Sequence, residues 1–129
     1  MKTIELIVLA IGAVVGAYLR YRIVESPISI GGLPVNVLVV NVIGSFLLGI
    51  FSVMALALNL DSKYTLLVAV GFCGSFTTMS SFALETSNLM DSNRLSIVAL
   101  NIITNVGLSL GAIVAGRTIG EVIMEKIAR

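Results

Sequence analysis

Histidine and tryptophan are missing from this sequence, cysteine occurs once and proline twice. Without histidine, and without a cluster of cysteines or acids, no ligand set for a transition metal is present. A single cysteine, Cys73, excludes a disulfide framework within the chain, and a small buried apolar side chain is its ordinary role. No glycine-rich phosphate loop occurs. Charge is scarce as well, at 12% of residues and a net +1, so no basic tail suggests nucleic acid and no acidic tract suggests disorder. With 57% hydrophobic residues and a mean hydropathy of +1.08, the composition is that of a membrane protein. None of these features points to an enzyme.

A helix that crosses a bilayer needs ~20 mostly apolar residues between polar flanks. The charges leave four such intervals, 4–22, 34–59, 64–88 and 95–116, in one transmembrane domain covering residues 1–129. The first is the shortest, and Arg20 and Arg22 at its end reach a full span by snorkelling. Pro34 suits the start of the second, where its missing N–H costs nothing. The loops SPISIGGLP, NLDSK and MDSNR are short, so function must lie within the helices. Four spans put both termini and the middle loop on one side with Lys2, Lys63, Arg117, Lys126 and Arg129, against Arg20, Arg22 and Arg94 on the other. That bias is weak, and insertion in both orientations, with an antiparallel homodimer, stays open.

Small residues mark close helix contacts: Gly12 and Gly16 on the first span, Gly44 and Gly49 on the second, Gly107, Gly111 and Gly116 on the fourth. The third span is less ordinary. Its midpoint, GSFTTMSSF at 74–82, gathers hydroxyls where water is scarcest, just after Gly71 and Gly74. Weak helix propensity and competing hydroxyls favour a local break, tolerated only where it is buried in protein or lines a wet path. Carbonyls freed there are potential cation ligands. On the fourth span Asn101, Asn105 and Ser109 recur at steps of four and stack on one face, with Thr104 beside them. Asn41 is a further intramembrane amide among Val39, Val40, Val42 and Ile43. Singly each amide reads as interhelical glue; together they read as a lined pathway. Glu5 and Glu85 fall towards span ends, so a proton-coupled carrier lacks its usual mid-span acid, which favours passive permeation.

Three stretches, GAVVGAYLRY (12–21), PVNVLVVNVIGSFLLG (34–49) and GFCGSFTTMSSFALET (71–86), resemble the signature segments of the Fluc, or CrcB, fluoride channels. The resemblance covers essentially the whole chain, and its most specific part is the pattern GFxGxxTTxSxFxxE. It implies an all-α membrane protein whose third helix is broken at mid-membrane, in an antiparallel dual-topology homodimer with two fluoride pores. It implies a central structural sodium ion (Na+) held by backbone carbonyls matching Gly74 and Thr77 of each subunit. Asn41 matches a pore asparagine; Ser80 and Ser81 match a hydroxyl pair; Asn101, Asn105 and Ser109 fall on a polar row. Arg20 matches an arginine of the wide vestibule, and Glu85 an acid that follows the pore phenylalanines.

Those phenylalanines are represented by Phe82 and, at the other position, by Met79. A phenyl ring offers a positive edge to an anion, whereas a thioether is flexible and polarizable without that quadrupole. The implied role is export of toxic fluoride from the cytoplasm across the cell membrane, with lipid, fluoride and a second copy as partners. Two rivals stand beside it. A small multidrug-type dual-topology exporter needs a membrane-embedded glutamate in the first helix, and a non-conducting assembly subunit would use its Asn and Ser residues only to hold helices together.

Overall fold

The computed structural model describes residues 2–129. Helix α1 (Thr3–Val24) leads through a small antiparallel hairpin, β1 (Ser29–Ile30) and β2 (Leu33–Pro34), into helix α2 (Asn36–Ala57). The hairpin turns on Gly31 and Gly32, both at positive φ. Pro34 therefore lies in the hairpin, opposite Ser29, and α2 begins two residues later than its position suggests. The reason is Asn36, whose buried amide accepts from Ile28 N–H (2.6 Å) and donates to the carbonyls of Ile23 (2.6 Å) and Ser26 (3.0 Å). This clasp ties the loop to the helix start.

The third span is composite. A short helix α3 (Ser62–Thr65), capped by the Asp61 carboxylate on Lys63 N–H (2.9 Å), passes into a π-helix over Leu66–Cys73. Helix α4 (Gly74–Phe76) and helix α5 (Met79–Asp91) follow, with extended backbone at Thr77 (φ −82°, ψ 158°) and Thr78 (φ −153°, ψ 116°) between them. Helix α6 (Leu95–Ile127) completes the chain. It runs well past Gly116, the end of its expected span: Arg117, Glu121 and Glu125 terminate the apolar run without terminating the helix, since Arg and Glu are good helix formers. At ~1.5 Å per residue, its 33 residues outreach a hydrocarbon core of ~30 Å.

Helices α2 and α5 end by the same device. Asn59 and Asn93 take left-handed φ (47° and 54°), and the next amides, Leu60 and Arg94, reach back to the carbonyls of Ala55 and Leu89 (3.0 Å each).

Four helical stretches, Thr3–Val24, Asn36–Ala57, Ser62–Asp91 and Leu95–Ile127, are long and apolar enough to cross a bilayer, and the chain is built as a multi-pass membrane protein. They pack mainly as two pairs. Gly12 and Gly16 bring α1 onto the π-helix and α4, where an added Cβ would overlap the carbonyl oxygens of Leu67 and Phe72. Gly49 and Gly116 bring α2 against α6, where a Cβ would overlap those of Ile113 and Phe46. Backbone approach of this kind supplies packing where lipid gives no hydrophobic drive for association. Few large apolar side chains are buried within the chain, and many, such as Val14, Leu56 and Ile103, face outward as a lipid- or partner-facing surface requires.

Candidate functional site

Where α4 stops, the freed backbone is taken up by side chains of other helices. In a continuous helix Thr78 N–H would bond the Gly74 carbonyl; instead it donates to Asn41 Oδ1 (2.8 Å). Asn41 Nδ2 donates back to the Thr78 carbonyl (3.2 Å), so one amide from α2 pairs both backbone groups of the same residue. Its other hydrogen goes to Asn105 Oδ1 (3.2 Å). Asn105 Nδ2 in turn donates to the carbonyl (3.1 Å) and Oδ1 (2.9 Å) of Asn101. Asn101 Nδ2 donates to Thr86 Oγ1 (3.1 Å), and the Thr86 hydroxyl to the Phe82 carbonyl (2.7 Å).

Asn105 and Asn101 accept on the side of Thr78 and donate on the side of Phe82, and Asn41 does the same while returning its other hydrogen to the Thr78 carbonyl. The direction is forced, because Thr78 N–H can only donate and the Asn101 and Phe82 carbonyls can only accept. The result is an oriented relay from the interruption of the third span, through α2 and α6, back to α5.

Thr78 also caps α5. Its Oγ1 accepts from Ser81 N–H (3.1 Å), donates to Ser81 Oγ (3.1 Å) and shares a hydrogen bond with Ser80 Oγ (3.2 Å). The hydroxyl cluster is thus tied to the helix restart. Thr77 Oγ1 bonds back to the Cys73 carbonyl (2.9 Å), and the Thr77 carbonyl, turned away from the helix axis, receives a long contact from Arg20 Nη1 (3.4 Å).

A groove of about 450 Å³ runs beside the interruption. Asn41, Asn105 and Ser109 line one wall, with Gly74, Thr77, Met79 and Phe82 on the other. Met79 is 71% exposed at its rim and Phe82 is half-buried. Ser109 belongs to the groove wall, and its hydroxyl oxygen is buried with no hydrogen-bond partner among the described residues.

Other residues singled out in the sequence lie elsewhere. Asn101 is fully buried between α5 and α6 and does not line the groove. Ser81 and Arg20 line a second cavity of about 350 Å³ with Tyr21 and Glu25. Ser80 is exposed at the start of α5. Glu85 keeps one carboxylate oxygen buried and unpartnered among the described residues.

Sequence reasoning passed over three residues. Thr78 was readable as an N-cap, a threonine three residues before Ser81 at the restart of a helix. Thr86, buried and bonded to Asn101, and Ser45, in the groove wall, carry no local signal that sets them apart.

Residues 7–117 match the family described as CrcB-like protein, Camphor Resistance (CrcB). The chain is 54% identical over 124 residues to a protein of Nitrosopumilus maritimus named fluoride-specific ion channel FluC, covering 96% of this chain and 98% of the relative. Proteins of the same name from Sulfurihydrogenibium sp. (42% over 113 residues, 85% and 91% covered) and Methanococcus aeolicus (36% over 120 residues, 93% and 98%) are also similar. A family match over most of the chain, with full-length relatives that preserve its extent, establishes that the chain belongs to the CrcB-like family.

Proposed function

We propose that this chain is a passive fluoride-selective channel of the cell membrane that lets toxic fluoride leave the cytoplasm. The observation that carries this reading is the similarity, over nearly the whole chain, to proteins named as fluoride-specific channels. The groove supports it. Fluoride is small and strongly hydrated, so its entry requires closely placed donors to replace water, and a narrow path penalises larger chloride.

Asn41 commits its Nδ2 hydrogens to Thr78 and Asn105, and Asn105 directs its own to Asn101. These amides hold the wall in shape. The unpartnered Ser109 hydroxyl and the ring edge of Phe82 are the groups left to meet the ion there, while Ser81 meets it in the Arg20 cavity. Met79 replaces one aromatic edge with a polarizable thioether at the groove rim.

The working unit is an antiparallel dual-topology homodimer with two pores, the third span of each subunit broken at mid-membrane. Gly107 and Gly111 have open space beside them on α6, among exposed Ile103, Leu110 and Val114, a surface suited to close helix contact with a second copy. The near-balanced charges at the two poles suit insertion both ways.

The oxygens at the interruption fit the structural sodium ion. The Gly74 carbonyl loses its helical partner to Asn41, and among the described residues the Thr77 carbonyl has only the long Arg20 contact, so both are hard, incompletely satisfied oxygen donors. The ion would be held by these two carbonyls from each subunit and would supply a fixed positive charge at the junction.

The exporter alternative lacks its acid, since Glu5 sits in the first turn of α1 accepting Lys2 N–H (2.8 Å). Reconstitution into vesicles separates the readings. Rapid fluoride loss with chloride retained supports the channel; pH-driven cation uptake supports the exporter; neither flux supports an assembly subunit.

A further inference from the structure

We propose that Arg20 is an internal competitor for the Thr77 carbonyl, a tethered cation that holds this oxygen until a small cation from solution displaces it. The inference rests on the reading of Gly74 and Thr77 as sodium-holding carbonyls.

Gly12, Gly16 and Arg20 stand at steps of four on α1 and form one row. The two glycines press this row into backbone contact with the third span, Gly12 at Leu67 and Gly16 at Phe72 and Phe76. One turn further on, the same row delivers Arg20 to the oxygen that the extended Thr77 turns away from its helix, at 3.4 Å from Nη1. The guanidinium is thus aimed by packing.

Nothing among the described residues neutralises Arg20 in place. Among the described residues the one ion pair is Arg22 with Glu25 (2.9 Å), so the carboxylate that shares Arg20's cavity is already engaged. The contact to Thr77 lies at the long end of the hydrogen-bond range, and a weak bond is readily exchanged. The adjoining cavity of about 350 Å³, walled by Tyr21, Val24 and Ser81, offers room for the side chain when it leaves. A metal ion and a guanidinium on one carbonyl repel each other, so binding of the ion and departure of Arg20 are coupled. In a subunit without the ion, Arg20 keeps the Thr77 oxygen satisfied and the interruption open.

The test is thermal unfolding of the purified full-length protein in detergent across a sodium titration, with a large organic ammonium cation keeping ionic strength constant. Unfolding temperature should rise with sodium in the wild type. Arg20→Gln should reach half of that rise at roughly 3-fold lower sodium, the worth of a hydrogen bond at the weak end of the range removed from the competition. Arg20→Lys should also shift downward, because an ammonium on a shorter, unforked stem cannot repeat the contact although it keeps the charge. Unmoved midpoints in both variants overturn the competition, as does a shift in Gln alone, which would mean a field effect without contact. Should Arg20→Gln fail to fold, the Lys midpoint decides by itself. A wild type indifferent to sodium refutes the sodium reading and this inference with it, whereas a sodium response with unmoved variants refutes the competition only.

Discussion

Along α1, two glycines let backbone touch backbone, whereas between α2, α5 and α6 the contact near the groove is made by three side-chain amides and a threonine. Both arrangements answer the same need, because lipid provides no hydrophobic force to press helices together. They differ in what they leave behind. A glycine seam is steric and has no direction, while the amide relay is ordered, running by donation from Asn41 to Asn105, Asn101 and Thr86. The relay is the seam that borders the groove and grips the interrupted backbone. Close packing holds the scaffold, and oriented hydrogen bonds shape the groove wall.

Substitutions that enlarge the glycine seam should have the largest effect. In Gly16→Leu the new side chain overlaps the Phe72 carbonyl and crowds Phe76 N–H, both backbone and unable to yield. A loss of at least ~3 kcal/mol, seen as failure to recover monodisperse protein, is expected. Next comes the head of the relay. Asn41→Leu leaves the Thr78 N–H and carbonyl unpaired, at about 1–3 kcal/mol for each, and should lower the thermal midpoint while protein is still recovered. If Asn41→Leu proved more damaging to folding than Gly16→Leu, the ranking of the two seams would be reversed.

Further along the relay, Asn101→Ala removes the donor to Thr86 and the acceptor for Asn105 in a fully buried place. It should cost ~1–3 kcal/mol of stability yet leave the fluoride-to-chloride flux ratio intact, because Asn101 does not line the groove. The smallest effect belongs to Thr104→Ala. The Thr104 hydroxyl is directed to carbonyls of its own helix, at Leu100 (2.7 Å) and Asn101 (3.3 Å), so denaturation should move by less than ~0.5 kcal/mol.

The four spans were legible because each is an apolar run between charges, a signal that depends on composition alone. Their ends were less so. Charges at Arg117 and beyond stop an apolar run but not a helix, and Pro34 could serve a helix start or a hairpin equally well. The third span announced its oddity through GSFTTMSSF, and extended backbone appears inside that stretch at Thr77 and Thr78. The partner of the exposed backbone could not be read. Asn41 and Thr78 are 37 residues apart, and periodicity within one helix carries no information on which neighbour it faces. The same limit divides the row of Asn101, Asn105 and Ser109. Steps of four place them on one face, but only packing decides that Asn101 is sealed between helices while Asn105 and Ser109 reach the groove.

The most direct test is anion efflux from vesicles carrying the purified protein, followed with a fluoride-sensitive and a chloride-sensitive electrode. Wild type should discharge fluoride rapidly and retain chloride. Asn41→Asp presents an oxygen where Asn41 Nδ2 now donates to Thr78 and Asn105, and Phe82→Ile removes the groove's ring edge, so each should cut fluoride flux more than ~10-fold. Folded wild-type protein that releases no fluoride, or releases chloride as fast, would contradict the account.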